Sequence, residues 1–239
     1  MSVVVGVDGC RAGWVAARST VPGGPFDLIV YPTLRALWDA NRDAAHIWTD
    51  MPIGLPISTV RGTDSGGRKV LGVRRSSIFN VPTRAAVYAS TYAEANAINR
   101  RVSGKGISIQ AWHIVPKMRE LDALLQSDPA AKDVIIESHP EVVFWALTGA
   151  PMAHNKKRSA GRAERLAVLA RFLPDVVGRI DAFYAYTLRK HCAYDDVVDA
   201  LVLMVAARFD RFDSIPNPPE LDEHDLPMRI VYPVGRWQA

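Results

Sequence analysis

The amino-acid sequence predicts an α/β protein, and three observations support this class. Short runs rich in valine and isoleucine, typical of strands buried on both faces, recur at residues 2–8, 46–50 and 133–137. Segments in which apolar residues recur at helical spacing lie between and after these runs. Near the C-terminus, residues 195–208 are apolar nearly all round after an acidic start, which predicts a helix buried against a sheet.

The composition is typical of a globular protein. At 239 residues, with 49% apolar and 23% charged residues, the chain is long enough for one large domain or two small ones. No clear linker divides it, so we expect a single domain over residues 1–239. The absence of a long apolar run and of a secretory pattern predicts a cytoplasmic protein without a membrane partner. Cys10 and Cys192 belong to no paired motif, so neither a disulfide framework nor thiolate-bound zinc is expected.

The N-terminal segment predicts a hairpin followed by a third strand. The first strand carries Asp8 to its end, residues 9–13 predict a turn, and residues 14–18 predict the returning strand. Residues 26–31 predict the next strand, after which Thr33 is placed to cap a short helix. An Asp before a Gly commonly bonds its own backbone in a turn, so Asp8 alone does not define a site.

Two further strands also carry an acid to their ends. The fourth predicted strand ends in Asp50, and a proline two residues later stops it. The fifth, residues 133–137, ends in Glu137. His139 and Glu141 follow within four residues, so any of these three side chains is a candidate to face a site.

The segment around residues 60–130 predicts a helical insertion. Its helical patterns fall at residues 64–72, 92–102 and 116–125. The last of these has a proline at its first position, which is a preferred place for proline. Lys117 and Glu120 stand three residues apart on this helix, and taken alone they indicate a surface ion pair.

Residues 152–158 predict a flexible basic loop, in which Lys156 and Lys157 are candidate contacts for a phosphate backbone. Further helical patterns lie at residues 141–147, 159–171 and 175–189. The tail has three prolines between positions 216 and 219, which predicts a loop leading to a final strand at 229–232. The excess of basic over acidic residues is mild, 29 against 25. Solvated loops explain this excess as well as a nucleic-acid partner does.

The helix at 195–208 adds further acids to those at the strand ends. Asp196 and Asp199 are three residues apart and therefore share a face. Helix capping explains an acid at the helix start but not Asp199, which lies a full turn inside an apolar helix. Gathered in one cleft with Asp8, Asp50 and Glu137, these carboxylates would repel one another unless a divalent cation held them.

The residue types indicate the metal and the reaction. Oxygen ligands without thiolates favour Mg²⁺ or Mn²⁺ over zinc. Two such ions about 4 Å apart can activate a water and stabilise the leaving oxygen of a phosphodiester. The sequence therefore predicts a metal-dependent nuclease whose nearby bases hold the backbone of a nucleic acid.

Five motifs together resemble the domain of unknown function 429 family, which is described as predicted RNase H-like nucleases. They are Gly6 to Trp14, Asp50 to Pro56, Pro116 to Asp122, Glu137 to Glu141 and Asp195 to Ala200. The resemblance implies an RNase H-like mixed sheet of three antiparallel strands followed by parallel strands, with helices on both faces. The run from Asp196 to Leu201 also resembles the last acidic helix of Holliday-junction resolvases, which makes a homodimer a candidate assembly.

The resemblance also implies roles for individual residues. The implied metal ligands are Asp8, Asp50, Glu137 and Asp199, with Asp196 as a further catalytic acid or the alternative ligand on the last helix. Lys117 and Glu120 match a family motif and would line the cleft, as a phosphate contact and as a residue supporting the ligands. His139 would support the ligands too, and Lys156 and Lys157 would contact the nucleic acid.

Two other functions are compatible with the sequence. An ATP-handling domain of the actin and sugar-kinase type also begins with a strand-end Asp-Gly hairpin, but it needs two duplicated halves. This chain has no second hairpin of that kind. A non-catalytic binding or assembly module of the same fold is the other alternative, because a fold alone does not fix a function.

Overall fold

A mixed sheet forms the centre of the protein. The structure is a computed structural model that describes residues 2–21 and 23–237. Among these residues the strands of the main sheet are β1 (Val3–Cys10), β2 (Gly13–Ser19), β3 (Phe26–Tyr31), β4 (Ala44–Thr49) and β5 (Ile135–Glu137), in the order β3-β2-β1-β4-β5. The pairs β1–β2 and β2–β3 are antiparallel, whereas β1–β4 and β4–β5 are parallel. The predicted α/β class and mixed sheet are confirmed, and the layout is consistent with an RNase H-like fold.

Helices cover both faces of this sheet, as predicted. They are α1 (Leu34–Ala40), α2 (Gly62–Leu71), α3 (Arg84–Val87), α4 (Tyr92–Ser103), α5 (Ile109–Ser127), α6 (Pro129–Val134), α7 (Pro140–Thr148), α8 (Ser159–Leu169), α9 (Val176–Tyr186) and α10 (Tyr194–Ala206). Val4 and Trp48 pack in the core that contains α10, whereas Val5 and Val7 pack on the opposite side with α1 and α5. In the described part of the chain, no helix combines the length and the apolar character needed to span a bilayer.

Gly6 allows α10 to lie directly on β1. A Cβ atom on Gly6 would be 2.0 Å from the carbonyl oxygen of Ala200 and 2.2 Å from the amide nitrogen of Met204. The two backbones are therefore in contact, and a side chain at position 6 has no room. Because side chains alternate along a strand, Asp8 faces the same side as Gly6 and is directed toward α10.

The insertion between β4 and β5 contains α2 to α6, and one of its helices is longer than predicted. Helix α5 begins at Ile109, so the predicted start at Pro116 is wrong by seven positions. Ser108 caps the helix by accepting a hydrogen bond from the amide of Ala111 at 3.1 Å. Pro116 lies inside the helix, where it removes one backbone hydrogen bond and its ring crowds the carbonyl four residues earlier.

The C-terminal region differs from the prediction as well. The predicted loop before the final strand is instead a strand, β6 (Phe209–Leu221), which pairs antiparallel with β7 (Pro227–Trp237) in a two-stranded sheet. The register of this pair shifts between Ile215 and Glu220, the stretch that contains the three prolines. Prolines are tolerated there because the irregular pairing does not require their missing N–H groups.

Candidate metal centre

Three aspartates from separate elements come together at one edge of the main sheet. Asp8 lies near the end of β1, Asp50 directly follows β4, and Asp199 lies on α10. One carboxylate oxygen of each lies within 4.8 Å of the other two. The sequence singled out all three as metal ligands, and the structure places them in one group.

The topology explains this convergence. Strands β1 and β4 are parallel neighbours, so their carboxyl ends meet at the same edge. The amide of Asp50 donates to the carbonyl of Val7 at 3.0 Å, which fixes Asp50 beside the end of β1. Asp199 reaches the same point because α10 lies on β1 at Gly6.

The group is electrostatically strained in the absence of a cation. Asp8 is 9% exposed and Asp199 only 1%. Burial raises the pKa of Asp199 to about 6. Burial, followed by the charges of Asp50 and Asp199, raises the pKa of Asp8 well above its ordinary value. Each carboxylate therefore ionises at a cost that a bound cation would remove.

One oxygen of Asp199 is paired and the other is not. Lys156 donates from its ammonium to Asp199 Oδ2 at 2.5 Å, and the charge of Asp199 raises the pKa of Lys156. Asp199 Oδ1 is buried and has no hydrogen-bond partner among the described residues. A buried acceptor without a partner is rare in proteins. Beside two more aspartates it is suited to a hard cation such as Mg²⁺ or Mn²⁺.

The raised pKa of Asp199 predicts how stability depends on pH. Without metal, the folded protein keeps this proton at pH values where the unfolded chain has lost it, so stability falls as pH rises from 5 to 7. Asp199→Asn should reduce this fall by about 1 kcal/mol. Urea unfolding at pH 5 and pH 7, with a chelator present, measures the change in the free energy of unfolding between the two pH values. Asp133→Asn, which replaces an exposed acid, is the control. An equal fall in wild type and Asp199→Asn would contradict the prediction.

Glu137 does not belong to the group of three aspartates. It is buried at the end of β5, and Arg61 donates to both of its oxygens at 2.6 and 2.7 Å. The amide of Ile53 donates to it as well, at 2.7 Å. Burial raises the pKa of Glu137 to about 7, while Arg61 opposes this rise. Its oxygens are already used, so the geometry does not support Glu137 as a fourth ligand.

Asp196 and Glu141 also have partners within the protein. The carboxylate of Asp196 accepts a hydrogen bond from the amide of Ala193 at 2.9 Å and caps α10, which is the alternative that the sequence left open. Burial raises its pKa to about 6. Glu141 is buried and pairs with the buried guanidinium of Arg165. Neither acid joins the aspartate group among the described residues.

Lys117 and Glu120 join α5 to the first hairpin. The ammonium of Lys117 donates to the carbonyl of Gly13 and lies 4.6 Å from the centre of the Trp14 ring. Glu120 accepts from the indole N–H of Trp14 at 2.8 Å and from the amide of Leu34 at 2.5 Å. Glu120 thus supports the position of the hairpin, and Lys117 lines the cleft beside Asp8.

The remaining predicted residues lie at the rim of the site. His139 precedes α7, with its ring Nε2 atom 3.4 Å from the carbonyl oxygen of Ser77, and it lines the cleft. Lys157 is exposed and lines the cleft next to Lys156. The structure places both bases of the loop on the side of the aspartates, as a role in substrate binding requires.

Sequence reasoning missed two features near the centre. Arg61 is 1% exposed and neutralises Glu137, but its position at the end of the irregular segment before α2 gave no signal. Cys10 and Cys192, although far apart in sequence, are both buried free thiols, and a hydrogen bond from Cys192 lowers the pKa of Cys10 to about 7. The amide of Ala12 donates to the carbonyl of His191 at 2.9 Å and holds these two segments together.

The sheet, its helices and the aspartate group define an α/β protein with a candidate metal centre at the edge of its sheet. The chain belongs to the family described as "Protein of unknown function (DUF429)", which matches residues 6–221. The resemblance to this family is confirmed, and the matched region includes all three aspartates. No curated protein and no solved structure matches the chain.

Proposed function

We propose that the protein is a divalent-metal-dependent phosphodiester hydrolase that acts on a nucleic acid. The observation that carries the proposal is the convergence of Asp8, Asp50 and Asp199, with one oxygen of each within 4.8 Å of the others. These residues would hold Mg²⁺ or Mn²⁺. When bound, such an ion supplies Lewis-acid stabilisation of phosphoryl oxygens and a more acidic water.

The neighbouring bases support a phosphate-bearing substrate. Lys156 and Lys157 follow each other on the loop beside the aspartates, and both line the cleft. Lys156 pairs with Asp199 and keeps about a third of its side chain exposed to the cleft side of the protein. A substrate phosphate placed between the aspartates and this loop would meet two positive charges, which would orient it and offset its charge.

A non-catalytic binding module is the second candidate, and the Lys156–Asp199 ion pair favours it. The ammonium already compensates one carboxylate, so the folded protein does not require an ion for that charge. In this alternative the aspartates and lysines form a polar network that binds no divalent cation.

Metal titration separates the two candidates. Calorimetry with Mn²⁺ should show binding to the wild-type protein, and Asp8→Asn should weaken it at least about tenfold because one charged ligand is lost. Asp133→Asn, which removes an exposed acid outside the group, should leave the affinity unchanged. Absence of binding, or equal affinity in Asp8→Asn and wild type, would favour the non-catalytic module.

Cleavage assays then test the chemistry. The wild-type protein, Asp8→Asn and Asp133→Asn are incubated with Mn²⁺ or Mg²⁺ and a panel of single-stranded, duplex, hybrid and branched nucleic acids. We expect products with the wild type and Asp133→Asn, and their loss with Asp8→Asn or a chelator. Absence of cleavage of every member of the panel, or cleavage that persists undiminished in Asp8→Asn, would overturn the proposed function.

A further inference from the structure

The aspartate group opens onto a cleft with a volume of about 1010 Å³. Asp8 and Asp50 line it, and Lys156 and Lys157 border it on one side. Helix α5 forms another wall, and residues 76–81 form a third. A smaller pocket of about 250 Å³ adjoins it, shares Asp50 and the two lysines, and contains Asp199. The metal centre thus lies inside a walled cavity.

The α5 wall is fixed to the sheet. Glu120 accepts hydrogen bonds from the hairpin residue Trp14 and from the start of α1, and Lys117 donates to the hairpin turn. A Cβ atom on Gly9 would lie 2.6 Å from Cδ of Lys117, so the Lys117 side chain of α5 lies directly against the end of β1. The cleft is therefore preformed, with the wall placed immediately beside Asp8.

The volume of the cleft bears on the size of the group that it can hold. Pockets for small ligands measure about 300–1,000 Å³, and this cleft of about 1010 Å³ lies at the upper end of that range. It therefore has room for a group of nucleotide size. A base that enters it has to be unpaired, because a base inside a duplex is stacked and paired and cannot be inserted into a pocket.

The walls match the two halves of a nucleotide. Phe79 is half-buried in the 76–81 wall, and Ile114 of α5 and Met51 add apolar surface to the same cleft. Among the described residues that line the cleft, Phe79 is the one phenylalanine, tyrosine or tryptophan, and it also packs against the hydrophobic core of the insertion. Aromatic rings bind unpaired bases by stacking, without regard to sequence. Lys156 and Lys157 line the same cleft and supply positive charge for the phosphate.

We propose that the cleft binds one unpaired nucleotide unit, with its base against Phe79 and its phosphodiester at Asp8 and Asp50, so that single-stranded nucleic acid is the substrate class. The proposal rests on the proposed function for the placement of the phosphodiester. The group that the cleft would recognise is an unpaired nucleoside phosphodiester. A free dinucleotide and a long single strand both contain this group, whereas a duplex presents it only at frayed ends.

The test measures binding of a labelled ten-nucleotide single strand by fluorescence anisotropy in the presence of Mn²⁺, with a chelator replacing Mn²⁺ for all variants and competitors if the wild type cleaves the probe. Unlabelled dinucleoside monophosphate, single strand and blunt ten-base-pair duplex are the competitors. We expect the first two to compete and the duplex to compete at least about tenfold more weakly. Phe79→Ala should weaken binding about tenfold, the range for losing one stacked base.

Two further variants control for folding and for general surface effects. Phe79→Leu keeps an apolar side chain against the core of the insertion and should show the same loss of affinity as Phe79→Ala, because both variants remove the stacking ring. Tyr186→Ala removes an aromatic side chain that is 95% exposed outside the cleft and should change nothing. Equal competition by duplex and single strand, or wild-type affinity in Phe79→Leu, would overturn the proposal.

The outcomes also separate this proposal from the proposed function. Cleavage that requires Asp8 but prefers a duplex would overturn the single-strand proposal and leave the hydrolase intact. Binding of the single strand that depends on Phe79, in a protein that neither binds Mn²⁺ nor cleaves, would support the cleft proposal and reject the hydrolase.

Discussion

Gly6→Ala should destabilise the protein by about 3 kcal/mol, the upper part of the range for overpacking. The added methyl group would lie 2.0 and 2.2 Å from backbone atoms of α10, which cannot rotate away as a side chain can. Either α10 moves off β1 or the strand shifts. Both changes separate Asp8 from Asp199, so Mn²⁺ binding should weaken with stability. Urea unfolding and calorimetry measure the two effects.

The control for this variant is Gly62→Ala at the start of α2. A Cβ atom there would meet only the carboxylate of Glu220, at 2.7 Å, and that carboxylate ends a flexible and exposed side chain. Gly62→Ala should therefore change the free energy of unfolding by less than about 1 kcal/mol. If Gly6→Ala lowers the free energy of unfolding no more than this control does, the contact between β1 and α10 is contradicted.

Arg61→Met should cost about 3–5 kcal/mol, as expected when one partner of a buried ion pair is removed. Arg61 is 1% exposed, bonds both oxygens of Glu137 and lies 3.7 Å from Asp64. Without it, Asp64 loses one of its neighbouring cations and Glu137 loses its ion-pair partner, so Glu137 can remain buried only by taking up a proton. Chemical denaturation measures the loss, which should be smaller at pH 5 than at pH 8 because protonation is easier there.

The double variant Arg61→Met with Glu137→Gln tests the cause. Removing both charges should recover a substantial part of the loss, since no uncompensated charge from this pair stays buried. No recovery in the double variant would indicate that packing of the Arg61 stem, rather than charge, stabilises this region. Glu137→Gln alone should leave Mn²⁺ affinity unchanged, because Glu137 is not among the converging aspartates. A tenfold loss of Mn²⁺ affinity in Glu137→Gln would instead identify Glu137 as a metal ligand.

The three aspartates of the site could be predicted because each belongs to a pattern with a topological meaning. Asp8 and Asp50 end neighbouring buried strands, and Asp199 lies where capping cannot explain an acid. Glu137 fits the same pattern but has another role. Its partner Arg61 lies 76 residues earlier, and no local signal in the sequence indicates that the two meet. Pairings of this kind depend on the path of the insertion, which hydrophobic periodicity does not determine.

The errors in the fold have similar local causes. Pro116 matches the preference for proline at the first turn of a helix, and that preference concealed the weaker signal of Ser108 as the cap of α5. The prolines of β6 indicate a loop because proline cannot donate to a strand partner. Strand β6 forms nevertheless because its partner β7 pairs on both sides of the irregular stretch.

The ion pair between Lys156 and Asp199 has a consequence for ion selectivity. An ion that approaches Asp199 competes with an ammonium group that already carries one positive charge. A monovalent ion that displaced it would exchange one unit charge for another and gain no Coulomb energy from the exchange. A divalent ion adds a second unit of charge facing three carboxylates, and at these distances that difference is large. If the aspartates hold an ion, as we propose, the lysine would favour a divalent ion over potassium or sodium.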